Sequence, residues 1–186
     1  MRPDKDCARC TLCQGRQNIV YPDGDPDSPV AFVGEAPGKK EDETGKPFQG
    51  ASGRVLNKLL EEEGVPRSRI FITNTVKCRP PQNRVPTKEE MAACLPCLVE
   101  ELRGRRLIIA LGRTAARDLL GREVSLSEEA NRPTKVTIGG REIDLVIAYH
   151  PAASFYNPRV KESLRETIRL ARTYLEGRGS ASSTGT

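Results

Sequence analysis

The sequence predicts a three-layer α/β/α sandwich around a central, mostly parallel four-stranded sheet. Two observations carry that prediction: four short apolar runs that each end at Gly or a polar residue, and amphipathic segments lying between them. Strands that alternate with helices need crossover connections, which place helices on the faces of a parallel sheet. At 186 residues the chain is long enough for one domain with a substantial core and short for two. We expect a single domain over 1–178 that opens with a cysteine-bearing segment. The low-complexity end, GSASSTGT at 179–186, is expected to be a disordered tail.

Taken in order, residues 1–29 are rich in Pro, Gly and Asp behind a group of cysteines, which predicts an irregular segment with little helix. Val30 to Val33, ended by Gly34, is the first expected strand, and Ile70 to Thr73, ended by Asn74, is the second. Arg106 to Leu111 before Gly112, and Ile143 to Tyr149 before His150, supply the third and fourth. Between them, Ser52 to Glu63 places Val55, Leu56, Leu59 and Leu60 on one helical face and stops at Gly64, a residue favoured where helices end. Thr87 followed by Glu90 is a capping-box pattern for a helix through about Leu102. Arg113 to Leu120 and Arg159 to Leu175 complete the helical set.

No run of about 18 apolar residues occurs, and the first residues, MRPDKDCARC, are charged. Neither a membrane span nor a signal peptide is expected, so the protein is placed in the cytoplasm, where thiols stay reduced. Thirty basic residues against 25 acidic ones leave a net charge of +5, which suits a polyanionic partner.

Six cysteines in such a chain read as metal ligands before disulfides. Cys7 and Cys10 form a CxxC pair that Cys13 extends, and Cys94 and Cys97 form another. Cys78 opens the segment KCRPPQNR, whose prolines fix φ and remove backbone donors, giving the rigid loop that presents a ligand well. Cys7, Cys10, Cys78 and Cys94 would suit a [4Fe-4S] cluster or zinc, and Cys7, Cys10, Cys94 and Cys97 an ordinary zinc site. Spacing leaves both open.

The strand ends gather a second set. GEAPG (Gly34 to Gly38) follows the first strand, EDETGKPFQG carries Phe48, Asn74 closes the second strand, and AYHPA puts the only histidine, His150, at the end of the fourth. Ligand sites of parallel sheets lie at those carboxyl ends.

With these motifs in place, the chain resembles the family 4 uracil-DNA glycosylases, the iron-sulfur branch of the uracil-DNA glycosylase superfamily. The resemblance runs from about Cys7 to about Leu175 and rests on the CxxC start, VGEAPG..ED..G.PF.G, ITN..KCRPP.NR.P...E...C and HPAA. It implies that Cys7, Cys10, Cys78 and Cys94 hold a [4Fe-4S] cluster of structural rather than redox use, with Cys13 and Cys97 as extras. It also implies a monofunctional enzyme that hydrolyses the N-glycosidic bond of uracil in single- or double-stranded DNA. The product would be an abasic site that starts base-excision repair. A monomer is expected, with a sliding clamp as a candidate protein partner. The competing reading from another class is a non-catalytic iron-sulfur or zinc module that binds nucleic acid.

Within the resemblance, Gly34, Glu35, Ala36, Gly38, Phe48, Asn74 and His150 are the expected uracil-binding residues. Phe48 would stack on the flipped base, Asn74 would read its O4 and N3 edge, and His150 would hydrogen-bond O2 as charge develops there. Two departures stand out. Ala36 occupies a position where the best-known branch has Asp, which leaves Glu35, Glu41 and Asp42 as nearby carboxylates; Glu35 and Glu41 join His150 as catalytic candidates. After the histidine, HPAASFYNP replaces the usual Leu and Arg, so Phe155 or Tyr156 is expected to enter the duplex. Lys77, Arg79 and Arg84 are expected at DNA phosphates, with Lys39, Lys40 and Arg159 as further candidates. A relative that traps DNA covalently through a histidine in an inserted loop is not expected, because this chain has no second histidine.

Overall fold

The strands at the centre of the sheet are apolar at nearly every position because helices cover both of their faces. The computed structural model describes residues 3–177. Strands β2 (Val30–Gly34), β3 (Phe71–Asn74) and β4 (Leu107–Leu111) are buried throughout, and β6 (Arg141–Ala148) becomes so along its second half. These are the four expected strands, and they form a continuous parallel block in the order β3-β2-β4-β6.

The expected strand count falls short. A two-residue strand, β1 (Asp23–Gly24), pairs antiparallel with β3 at one edge, and β5 (Pro133–Ile138) pairs antiparallel with β6 at the other, so the sheet has six strands. β1 is too short to carry a pattern. β5 alternates exposed and buried positions and starts at proline, as an edge strand tolerates. The turn joining β5 to β6 is Gly139-Gly140, with φ of 56° and 80°, the positive values that two-residue hairpin turns require.

Strand alternation sends side chains to two separate cores. Val30, Phe32, Ile72 and Ile109 meet Leu56, Leu59 and Leu60 of α2 (Ala51–Glu62) and Val160, Leu164 and Ile168 of α6 (Pro158–Leu175). Ala31, Val33, Ile108 and Ala110 meet Leu98 and Leu102 of α3 (Lys88–Leu102) and Ala115, Ala116 and Leu119 of α4 (Arg113–Leu120). The three expected layers are therefore present. Two short helices, α1 (Lys39–Thr44) and α5 (Leu126–Glu129), lay below the length at which periodicity speaks.

Among the described residues, the N-terminal segment is irregular apart from one 3-10 turn at Thr11–Gln14 and β1. It packs outside the sheet, where Leu12 and Ile19 join Val76 and Cys78 in a third, small apolar cluster. Buried Asp42 ties it to α1, accepting from the Gln17 and Asn18 amides at 2.9 and 3.3 Å. Among the described residues no helix is long and apolar enough to cross a membrane. The expected tail at 179–186 lies outside the described residues.

Candidate active site

The carboxyl ends of β2, β3 and β6 open onto one pocket of about 600 Å³, within the usual range of a small-ligand site. Glu35, Ala36, Gly38, Glu41, Phe48, Asn74, Arg84 and His150 all line it. Gly34 lies directly beneath: a Cβ there would stand 2.5 Å from Asn74 Oδ1 and 2.6 Å from Phe48 Cζ. Only glycine lets the amide and the ring come together over the strand end.

Phe48 is held with unusual force for a loop residue. Its φ is +53°, a region that costs a non-glycine side chain free energy, so its surroundings must fix it. Arg67 donates to the Pro47 carbonyl at 2.7 Å and anchors on Asp23. Gly53 of α2 allows the loop to press in, since a Cβ there would meet the Phe48 carbonyl oxygen at 1.8 Å. The ring is buried and lies 6.1 Å from the His150 ring, centroid to centroid, at an angle of 30°.

His150 has its tautomer set by the turn that follows it. The Ala152 backbone N–H donates to Nδ1 at 3.2 Å, which leaves the ring proton of the neutral form on Nε2. Burial pulls the imidazole pKa below its ordinary value, opposed in part by the charge of Glu41. A neutral histidine with an outward Nε2–H is a hydrogen-bond donor at neutral pH.

The carboxylates divide into different tasks. Glu41 spends both oxygens on backbone donors, accepting from Gly38 at 3.1 Å and from Gln49 and Gly50 at 2.7 Å each. It therefore clamps the GEAPG turn to the Phe48 loop, which runs against its expected catalytic part in orienting water or stabilising the sugar cation. Asp42 faces away from the pocket into the amides of the N-terminal segment and is no candidate either. Glu35 lines the pocket, and its carbonyl is fixed by the Thr75 hydroxyl at 2.7 Å.

Lys77 does not reach the surface expected of a phosphate contact. Its side chain is only 1% exposed and pairs with Glu101 at 2.6 Å, because the turn that follows β3 carries it inward beneath the strand end. Arg84 is half-exposed at the pocket but carries a forked pair of bonds to Glu90, at 2.7 and 2.8 Å. Arg79 bonds Asn83 within its own loop at 2.7 Å. Phe155 and Tyr156 stand 52% and 91% exposed, an unusual display for large apolar rings.

Family comparison matches these strand-end motifs to a known fold. Residues 21–172 match the model of the uracil DNA glycosylase superfamily. The chain belongs to that superfamily. It is 42% identical over 173 residues to a type-4 uracil-DNA glycosylase of Pyrobaculum aerophilum, covering 89% of this chain and 88% of the relative. A type-4 uracil-DNA glycosylase of Thermotoga maritima is 37% identical over 180 residues, with 94% and 92% covered. A type-5 uracil-DNA glycosylase of Pyrobaculum aerophilum is also similar, at 33% over 171 residues, with 82% and 74% covered. The expected membership in the type-4 branch is borne out.

On this superfamily frame, a second feature lies beside the pocket. Cys7, Cys10, Cys78 and Cys94 line one small cavity together with Cys97 and the side chain of Arg16. Arg16 donates to the Cys7 carbonyl at 2.6 Å and to the Cys78 sulfur at 3.5 Å. Burial pushes the Cys94 thiol up to about 11 and raises Cys10 and Cys78, with neighbouring thiols adding to each. Thiols so placed ionise readily only against a cationic centre. Among the described residues no three His, Cys, Asp or Glu side chains gather at the spacing of a single ion.

Gly53, Arg67, Thr75 and the Ala152 amide are the supporting residues that sequence reading missed. Gly53 left a signal, since a glycine inside an otherwise helical pattern usually has a packing reason.

Proposed function

We propose that this chain is a monofunctional uracil-DNA glycosylase whose base pocket is formed by Gly34, Phe48, Asn74 and His150. The single observation that carries this reading is the convergence of an aromatic face, a primary amide and a neutral histidine donor on one strand-end pocket. The relatives' names support the same activity and lend none to a non-catalytic binding module.

A flipped uracil would stack on Phe48, a contact worth about 1 to 3 kcal/mol. The Asn74 carboxamide offers a donor to O4 and an acceptor to the N3 proton. Cytosine reverses both, leaving the buried amide unpaired, and such mismatches support discrimination of about 10⁴-fold. As the glycosidic bond lengthens, the base takes up negative charge and the sugar becomes cationic. Nε2–H of His150 would donate to O2 at that stage, an effect of about 3 to 4 kcal/mol for a preorganised donor. Glu35 is the pocket carboxylate whose oxygens are not assigned to the backbone clamp, and it would orient water or stabilise the sugar cation. Phe155 or Tyr156 would enter the stack the base has left, while Arg79 and Arg84 would face phosphates.

The thiols gathered on one small cavity, together with the family resemblance of the sequence, support an iron-sulfur cluster there. Cys7, Cys10, Cys78 and Cys94 would hold a [4Fe-4S] cluster, whose thiolate bonds would join the N-terminal segment, the KCRPP loop and α3.

The test is an oligonucleotide with one uracil opposite guanine, adenine or nothing, incubated with the protein and then with alkali. Cleavage at uracil only after alkali is expected. Intact DNA from protein that retains its iron-sulfur absorbance would overturn the reading.

A further inference from the structure

Lysine 77 sits where a lysine is costly. Its ammonium has three N–H bonds, and all three are used: toward Thr73 Oγ1 at 2.7 Å, Asn74 carbonyl oxygen at 2.6 Å and Glu101 Oε2 at 2.6 Å. Thr73 in turn donates to Glu101 Oε2 at 2.8 Å, closing the group around the end of β3. Lys77 and Glu101 are 1% and 9% exposed. Buried ion pairs seldom stabilise a fold more than apolar residues of the same volume, so packing alone gives no reason for this one.

The reason lies in what the pair touches. We propose that Lys77 is a positioning residue for base recognition, holding the backbone of Asn74 on one side while its own peptide is fixed beside the thiol cluster on the other. The inference rests on the glycosylase reading above. One ammonium bond goes to the main chain of Asn74, the residue whose side chain would read uracil. The Lys77 carbonyl meanwhile accepts from Val20 at 2.8 Å, and Lys77 lines the thiol cavity together with Cys94. Lys77 also directly precedes Cys78. One residue thus links the pocket amide, the thiol cavity and the N-terminal segment.

The Asn74 amide has little latitude. Its Oδ1 lies so close over Gly34 that a single added carbon would collide, so a small rotation of the Asn74 peptide would move both recognition atoms. Misplacement of about 1 Å at such a site can cost about 10²-fold in rate.

Replacing Lys77 alone would strand the Glu101 carboxylate, so the variant is the apolar swap Lys77→Met with Glu101→Leu. We expect it to fold, to keep the visible iron-sulfur absorbance per chain, and to lose about tenfold or more in single-turnover uracil release, with kcat rather than KM affected. In an Asn74→Ala background the same swap is expected to cost nothing further, because Lys77 acts through Asn74. A merely structural pair would lower stability and cause the same loss in both backgrounds. If the swap does not fold, Lys77→Met with Glu101→Gln keeps a partner for Thr73 and reads the same effect. Wild-type rates from the swap, or equal losses in both backgrounds, overturn the proposal while leaving the glycosylase intact. A wild-type chain that releases no uracil overturns both.

Discussion

The strand-end pocket and the thiol cluster are neighbours along the chain, joined by the stretch from Asn74 to Cys78, yet different forces hold them. The pocket is built on the ends of fully buried parallel strands, so its side chains inherit the rigidity of a sheet packed on both faces. The thiol region hangs outside that sheet on a small apolar cluster and a set of polar ties: Asp42 to Gln17 and Asn18, Arg16 to Cys7, and Thr11 to Glu90. Its own apolar burial is small, and five of its cysteines line one small cavity. The difference teaches where each region is vulnerable: the pocket to atoms of the wrong size, the thiol region to loss of the thiols and charges gathered between its segments.

The sharpest test of the contrast is chemical. His150→Ala removes the proposed donor to developing charge without touching the sheet, and a fall of about 10²- to 10³-fold in uracil release is expected with little change in melting temperature. A variant that kept near wild-type rates would place the anion-stabilising donor elsewhere.

Gly34→Ala should come next. The added methyl must displace Asn74 or Phe48, so uracil release is expected to drop by about tenfold or more, in the range set by misplaced recognition groups. Unchanged binding of uracil-containing single strands would show that the two side chains do not meet the base together.

On the other side of the comparison, Cys78→Ala is expected to abolish the visible iron-sulfur absorbance and to open residues before Val20 to protease. The sheet should retain its far-ultraviolet signal, because its cores do not depend on the thiols. A retained chromophore would redirect the ligand assignment to Cys13 or Cys97.

The smallest effect is a dependence on acid. Glu90 accepts from Arg84, Thr11 and the Thr87 amide, and the Arg84 guanidinium does most to hold its carboxyl down at about 2, against an ordinary 4.5. A depressed folded-state pKa contributes stability above 4.5 that is lost as pH falls toward 2. Melting temperature should therefore decline through that window, and Glu90→Gln should flatten the decline. Equal acid sensitivity in both proteins would falsify the assignment.

Much of this molecule was legible because local chemistry and tertiary role agree. The four parallel strands announced themselves as apolar runs ending in polar residues, since two-sided burial demands the first and a strand-end site demands the second. Thr87 and Glu90 form the capping box that their spacing implied. Phe48, Asn74 and His150 meet in one pocket as their positions at the ends of loops and strands required.

What the chain alone did not determine was decided by three-dimensional neighbours. The edge strands β1 and β5 depend on pairing partners rather than on a strong pattern of their own. Glu41 looked like a catalytic carboxylate until three backbone amides were seen to occupy it. Lys77 looked like a surface cation until the turn after β3 buried it against Glu101. Residue type records which chemistry a side chain is able to perform. Whether water, a backbone amide or an opposite charge faces it is settled only when distant segments pack, because hydrogen bonding and burial are properties of the pair and not of the residue.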